Sequence, residues 1–394
     1  MPAASPSTAR AINDRLALRL LQQEGPLTAG QLKQLTGLSR PTVADLVERL
    51  ADAGLITVVG EAGEQRRGPN ARLYGIVADR AHLAALDVRT EGVSVAVSDL
   101  VGTVLAEASV PIGDDTGTGP AVERAVALVE RAVKEAGADR LHTVGIGAPG
   151  LIDPASGELR DSSGLPQWHR GLVATLQERF PEARVSVENE TNLAALAEQR
   201  DGAARDRATF VLLWLGHGTG AAVVLDGALR RGASGGTGEI GFLPVPGTTG
   251  LPSATDCAGG FHSLAGSAAI TRLAAEHGLT AEDAHAPAAA RLVGEAAAHA
   301  GEARPFLDAL ADRIALGVAS VVAVLDPGCV VLGGEVGQAG GPLLAALVEE
   351  RVRRMSPLPV AVRPSTLGGT AVLRGALLTA RDRAQEVLFA PPGR

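Results

Sequence analysis

The sequence predicts an α/β protein of two parts, a winged helix-turn-helix over residues 1–78 and a two-lobed α/β domain over residues 79–394. Three observations predict this division. The first part contains short amphipathic helices followed by two strands. Beyond residue 80, strands alternate with helices, and an order of strand, strand, helix and strand occurs twice. Two copies of one unit predict two lobes with a ligand cleft between them.

The composition limits the class of protein. The 394 residues carry a net charge of −8, and no apolar run reaches the roughly 20 residues that a membrane-spanning helix needs. The first nine residues contain no basic side chain and no apolar segment follows them, so we expect no secretory signal. Cys257 and Cys329 are too few for a disulfide framework or a four-cysteine metal site. We therefore expect a cytoplasmic protein with no membrane partner.

Three helices are predicted in the first part. The first helix carries an apolar stripe formed by Ile12, Leu16, Leu20 and Leu21. Thr28 can cap the second helix, in which Leu32 and Leu35 should point inward, and Ser39 can cap the third. The third helix has apolar residues at i, i+3, i+4 and i+7, the spacing of a buried helical face, formed by Val43, Leu46, Val47 and Leu50.

The outer face of the third helix suits DNA. Its helix N-terminus and its polar side chains can meet phosphates or base edges, and the residues concerned are Ser39, Arg40, Pro41, Thr42, Asp45 and Arg49. Two strands that follow form a wing, and Arg66 and Arg67 at its tip would reach an adjacent groove or the DNA backbone. A helical protein-interaction module is the alternative, but the wing favours a double-stranded DNA operator as the partner.

The second part consists of two similar units. In the first, three strands precede a helix near residues 120–136 and the strand HTVGIGAPG. In the second, two strands precede a helical region near residues 305–325 and the strand CVVLGG. Glycine-rich turns follow strands at 145–150, 216–220 and 333–337. If the units pair, these turns face the cleft, which is the usual place for a ligand.

Four segments of the second part resemble the ROK family, a family of repressors, open reading frames and sugar kinases. They are VENETNLAALAE, GHGTGAAVVLDGALRRGASGGTGEIGF, GIGAPGLID and VVLGGEVGQAG. The resemblance implies an actin/hexokinase-like (ribonuclease H-like) ATPase fold for the second part. With the winged helix it implies a transcriptional regulator that binds DNA as a homodimer or homotetramer and responds to a sugar or sugar derivative. We expect a repressor.

The resemblance also shows that the nucleotide loops are altered. The family's kinases carry D-x-G-G-T, where this chain has Asp87 followed by Val88-Arg89-Thr90-Glu91, without either glycine and with an added carboxylate near the phosphates. The glycines kept in the other nucleotide-like loops are Gly216, Gly218, Gly220, Gly333 and Gly334. Glu190 occupies the position of the family's catalytic Asp and is one methylene longer, which favours a structural or ligand-contacting role over general-base catalysis. We therefore expect no catalytic residue and no ATP cofactor.

The family's sugar and zinc positions are altered too. The positions that would contact the sugar hold Asn189, Glu190, Glu239, His262 and Gly164. The last two replace a Glu and an Asn of the family's pattern. The family's zinc site uses a His and C-x-C-G-x-x-G-C, of which this chain keeps one cysteine, Cys257, while Phe242 replaces the His. We expect no zinc, and Phe242 and Phe261 to pack together in its place.

The sequence leaves three functions open. The favoured one is a DNA-binding regulator whose ligand, a sugar or sugar derivative, binds between the lobes. The first alternative is an active ATP-dependent sugar kinase with a DNA-binding domain, against which the altered D-x-G-G-T segment argues. The second is a regulator that has no sugar ligand and responds to a partner protein, an alternative that the altered sugar positions keep open.

Overall fold

The computed structural model describes residues 6–62, 71–113, 116–160, 166–248, 250–253, 259–280 and 288–390. Four residues that the sequence analysis singled out, Arg66, Arg67, Gly164 and Cys257, lie outside these ranges. The described part of the chain contains three β-sheets, a small one near the N-terminus and two larger ones of five strands each. None of its helices combines the length and apolar character that crossing a bilayer requires.

The N-terminal elements form a winged helix-turn-helix. In chain order they are α1 (Pro6–Glu24), β1 (Leu27–Thr28), α2 (Ala29–Thr36), α3 (Arg40–Asp52), β2 (Ile56–Ala62) and β3 (Ala71–Ile76). Strand β3 pairs antiparallel with both β1 and β2, so the hairpin of the wing is anchored beside the start of α2. The boundary at residue 78 stays a prediction.

The predicted helix caps are confirmed. The Thr28 hydroxyl accepts a hydrogen bond from the Gln31 N–H, and the Gln31 Oε1 accepts one from the Thr28 N–H, so α2 begins with a complete capping box. Helix α2 ends at Gly37, whose φ of 70° is left-handed and suits glycine. Ser39 caps α3 by accepting from the Thr42 N–H. These caps fix the turn between α2 and α3, the two helices that define the motif.

The predicted inward positions are correct for α3 and partly wrong for α1 and α2. All four apolar residues predicted for α3 are buried. Ile12, Leu16 and Leu35 are 56%, 39% and 50% exposed, however. The face of α1 that is covered carries Ala17, Leu18 and Leu21. The reason is that α1 packs through its C-terminal half, against α2, α3, β3 and the rest of the protein, which leaves its N-terminal half open.

The first lobe is built on a five-stranded sheet. Its elements are β4 (His82–Arg89), β5 (Gly92–Ser98), β6 (Val104–Pro111), α4 (Thr118–Glu135), β7 (Leu141–Ala148), α5 (Trp168–Arg179), β8 (Arg184–Asn189) and α6 (Glu190–Asp201). The strand order is β6-β5-β4-β7-β8. Strands β4, β7 and β8 run parallel, so the ends of all three lead into one edge of the sheet.

The second lobe repeats this plan. Its elements are β9 (Phe210–Leu215), β10 (Thr219–Leu225), β11 (Ala228–Arg230), α7 (His262–Ala265), α8 (Ser267–Glu276), α9 (Ala288–Ala298), α10 (Ala300–Leu325), β12 (Cys329–Gly333), α11 (Gly334–Met355), β13 (Ala361–Pro364) and α12 (Ala371–Leu388). The order β11-β10-β9-β12-β13 places the first three strands of the unit antiparallel and the last two parallel, as in the first lobe. The predicted duplication is therefore confirmed.

Helix α12 joins the winged helix to both lobes. It returns to the first lobe and packs on α6, β4 and β7. Its C-terminal part shares a hydrophobic core with α1, in which Ala380 and Ala384 meet Leu18 and Leu21. The Gln385 side chain donates hydrogen bonds to Gln22 Oε1 at 2.7 Å and to the Leu100 carbonyl at 3.0 Å. The winged helix is thus fixed against α12 by packing and by hydrogen bonds.

Candidate functional site

The N-terminal end of α3 carries one exposed guanidinium, that of Arg40. Arg40 and Pro41 are exposed, and no hydrogen bond or ion pair holds Arg40 among the described residues. The hydroxyls of Ser39 and Thr42 lie 2.8 Å apart and bond to each other. A helix N-terminus with an unengaged guanidinium can bind a phosphate group.

Arg49, predicted to contact DNA from the outer face of α3, is instead held by two carboxylates. Its Nη2 donates to Asp14 Oδ1 of α1 at 2.6 Å, and Nη1 pairs with Asp45 one turn earlier on α3. The bond to Asp14 raises the pKa of Arg49 above its ordinary value. Arg49 therefore fastens α3 to α1, and this pairing also engages Asp45. Of the residues predicted on the outer face, those at the start of α3 are the ones that remain available for a ligand.

The predicted cleft residues come together between the lobes. Asp87 lies near the end of β4, Asn189 and Glu190 at the junction of β8 and α6, Glu239 before the turn at 240–242, and His262 at the start of α7. Glu190 is near enough to Asp87 and Glu239 for both charges to raise its pKa. The glycine-rich loop joins them: a Cβ atom on Gly218 would lie 3.5 Å from the His262 ring.

Asn189 and Glu190 form one hydrogen-bonded unit. The Asn189 Oδ1 caps α6 by accepting from the N–H groups of Thr191 and Asn192. Its Nδ2 donates to the Gly150 carbonyl at 3.0 Å and to Glu190 Oε2 at 2.8 Å. Burial raises the pKa of Glu190 to about 8, and the carboxylates of Asp87, Glu239 and Glu335 add to the effect. Near pH 7 Glu190 therefore holds a proton.

Arg89 occupies the space between the nucleotide-like loops. Its Nε donates to Asp87 Oδ2 at 3.0 Å, and its Nη1 donates to Glu335 Oε1 at 2.8 Å across the cleft. Its Nη2 donates to the Gly369 carbonyl at 3.3 Å. The Glu335 carboxylate also lies over Gly216, where a Cβ atom would touch it. The missing glycines are visible in the sequence, but the pairing of Arg89 with Glu335, which fills the space and joins the lobes, was not predicted.

A second ion pair joins the lobes through Glu188. This buried carboxylate accepts from Arg231 Nε at 2.7 Å and from Arg231 Nη2 at 2.6 Å. It also accepts from the Asn192 side chain at 3.0 Å, so the pair is tied to the first turn of α6. Both residues were missed. The available signal was an acid directly before the Asn189 motif together with the arginine pair of GALRRG.

Buried polar atoms without a hydrogen-bond partner among the described residues include Asp87 Oδ1 at the cleft and Thr219 Oγ1 at the start of β10. Burial raises the pKa of Asp87, although the Arg89 charge opposes the shift. Burial also lowers the pKa of His262, which keeps this ring neutral near pH 7. The cleft therefore offers unengaged acceptors and few unengaged positive charges.

The region that resembles the zinc site is partly described. Phe261 is fully buried, and its ring lies against Gly317 of α10. Phe242 is 38% exposed, and no ring contact joins it to Phe261 in the described part of the chain. The predicted packing of these two rings is therefore wrong, because Phe261 fits into the core of the second lobe. Within the described ranges, no three His, Cys, Asp or Glu side chains are grouped as metal ligands.

Fold and cleft together define a winged-helix protein with a duplicated, actin/hexokinase-like second part. The ROK family model matches residues 83–383, more than half of the chain, and the chain belongs to the ROK family. The MarR family model matches residues 12–68, which cover most of the winged helix. The predicted family and fold class are therefore confirmed.

Known relatives include repressors and kinases. The xylose repressor of Caldicellulosiruptor bescii is 25% identical over 349 residues, which is 86% of each chain. A ROK family transcriptional regulator, a homolog of the E. coli MLC protein, has a similar fold with a TM-score of 0.75 at 22% identity, covering 97% of this chain and 98% of that one. A Streptomyces griseus ROK glucokinase with glucose and AMPPNP has a TM-score of 0.64 at 26% identity, covering 76% and 99%.

Proposed function

We propose that this protein is a transcriptional repressor that binds a double-stranded DNA operator as a homodimer or homotetramer and responds to a sugar or sugar derivative. The observation that carries the proposal is the free N-terminal end of α3 on a winged helix that is fixed to a ROK domain. The similarity to a named repressor over 86% of both chains supports it. The effector would bind in the interlobe cleft, beside Asn189, Glu190 and Glu239.

The contacts of α12 suggest how the two parts communicate. Helix α6 begins at the cleft and packs along α12, and α12 packs on α1 through Gln385 and its apolar neighbours. A ligand that changes the closure of the lobes would shift α6, and the shift would pass through α12 to the winged helix. Within an oligomer, the spacing of the DNA-reading helices would then change.

Titration of DNA with and without sugars tests this proposal. The full chain is first used to select binding sites from random double-stranded DNA. The selected DNA should bind the protein tightly, and one class of sugar should weaken that binding. Fluorescence anisotropy at fixed salt measures both effects, since phosphate contacts make the affinity salt-dependent. A protein that selects no sequence contradicts the proposal. DNA binding that no sugar changes would favour the regulator that responds to a partner protein.

We further propose that the protein is not a kinase and holds neither ATP nor a structural zinc ion. A triphosphate would have to displace the Arg89–Glu335 pair and lie beside the Glu335 carboxylate above Gly216. Breaking a partly buried pair to admit like charge is unfavourable. Metal analysis of protein purified without added zinc tests the last point, and well under one zinc per chain is expected.

The expected kinase activity is zero over common hexoses and amino sugars. A coupled assay of ADP release with ATP and Mg²⁺ measures it. Turnover approaching the roughly 1–100 s⁻¹ of kinases would contradict the proposal. The double variant Arg89→Gly/Glu335→Gly is a useful companion, because it reopens the loop. If it gains ATP binding without turnover, the ion pair blocks the nucleotide and Glu190 is a poor base.

A further inference from the structure

The cleft contains an unusual excess of carboxyl groups. Four elements contribute one each: β4, α6, the turn at 240–242 and α11, through Asp87, Glu190, Glu239 and Glu335. Glu190 lies within the electrostatic reach of the other three, and all three raise its pKa. A phosphate group of a ligand would add further negative charge to this cluster.

The positive charges near the cluster are already engaged. Arg89 divides its donors among Asp87, Glu335 and the Gly369 carbonyl. Arg231 gives two bonds to the buried Glu188. Among the described residues, the other basic groups nearby are three histidines. They are His217 on the glycine-rich loop, His262, whose pKa is lowered by burial and by His217, and His169 beside the Arg89 backbone, whose pKa burial lowers to about 4. No free guanidinium or ammonium therefore faces Glu190 among the described residues.

One oxygen of the cluster is buried without a donor. The Asp87 side chain is 6% exposed, and its Oδ1 makes no hydrogen bond with any described residue, although Arg89 holds the other oxygen. A buried carboxylate oxygen without a partner is costly, and such a group usually meets a donor supplied by a ligand or an ion. Thr219 Oγ1, beside Gly241 in the second lobe, is also buried without a hydrogen-bond partner among the described residues. Asp87 Oδ1 can therefore accept a hydrogen bond from a ligand that enters the cleft.

We propose that the effector is an unphosphorylated amino sugar whose ammonium group binds between Asp87 and Glu190. This inference rests on the proposed function and specifies the ligand of the same cleft. The ammonium supplies the positive charge and the donors that the cluster needs, and the Glu239 carboxylate can accept from a hydroxyl of the sugar. The phosphorylated form of the same sugar is expected to bind more weakly, because a phosphate would add negative charge to a cleft already rich in carboxyl groups.

The protonation of Glu190 makes the inference measurable. In the free protein this carboxyl, with a pKa of about 8, is mostly protonated at pH 7. An ammonium group beside it favours the ionised form, so binding should release about one proton at pH 7. The affinity should therefore rise between pH 6 and pH 8, as the cost of removing that proton falls. A neutral sugar would release none.

Isothermal titration of the full chain tests the inference. The probes are glucosamine, galactosamine and mannosamine, each beside its parent hexose, its N-acetyl form and its 6-phosphate, in EDTA so that no metal occupies the carboxylates. The best amino sugar should bind at least roughly tenfold more tightly than its parent hexose. Two buffers of different ionisation enthalpy give the number of protons released.

Two variants locate the effect. Glu190→Gln should remove both the proton release and the preference for the amino sugar. The matched control is Glu107→Gln, which makes the same chemical substitution at an exposed position on β6 and should alter neither. Equal or tighter binding of the hexose or the 6-phosphate overturns the inference alone. Absence of binding by every sugar, with DNA binding intact, overturns it together with the sugar part of the proposed function.

Discussion

Replacement of Gly375 by alanine is expected to lower the free energy of unfolding by about 3 kcal/mol, because α12 and α6 are in backbone contact at this position. A Cβ atom on Gly375 would collide with the Leu193 carbonyl of α6, which no side-chain rotation can relieve. The two helices would have to separate. The better helix propensity of alanine, worth about 1 kcal/mol, is too small to offset the collision.

Thermal and chemical unfolding of the full chain measure this loss. Gly369→Ala is the matched control, since a Cβ atom there meets nothing within 4 Å, and it should leave stability nearly unchanged. Because α12 connects α6 with α1, the effector should also change the operator affinity less in the folded fraction of Gly375→Ala than in the unmodified protein. Unchanged stability would show that the close approach of these helices is not required.

Local rules predicted the winged helix well. The caps at Thr28 and Ser39 depend on a few neighbouring residues, and all of those residues are visible in the sequence. The buried face of α1 was misplaced because it is decided by a distant partner, α12, more than 350 residues away along the chain. Periodicity identifies an apolar face, but the length over which a neighbour covers it is a tertiary property.

The family motifs predicted where the cleft residues lie relative to one another, but not their contacts. In the structure Asn189 donates to Glu190, and Glu239 lies near enough to Glu190 to raise its pKa. The role of Arg89 was missed, because its partner Glu335 is 246 positions away and its side chain crosses between lobes. A loss of glycines predicts that phosphate contacts disappear. It does not predict which side chain fills the space.

Reversal of charge at Arg40 is expected to reduce operator affinity roughly 100-fold and to leave effector binding unchanged. Arg40 is exposed at the N-terminus of α3, far along the chain from the cleft residues. Arg40→Glu removes a phosphate or base contact and adds repulsion. Arg272→Glu is the matched control: it makes the same change of charge on the exposed face of α8 and should keep full affinity.

Variants of the cleft should do the reverse, because the two sites communicate only through the fold. Glu239→Ala should keep operator affinity while abolishing the effect of the ligand on that affinity.

In the unmodified protein, ligand and operator should change each other's affinity by the same factor, equivalent to about 1–3 kcal/mol, because coupling between two binding equilibria is reciprocal. Anisotropy titrations at fixed salt, with ligand varied at constant DNA and DNA at constant ligand, measure both directions. A full ligand response in Glu239→Ala would place the effector site outside the cleft, whereas a loss of response in Arg272→Glu would show that net charge alone alters the coupling.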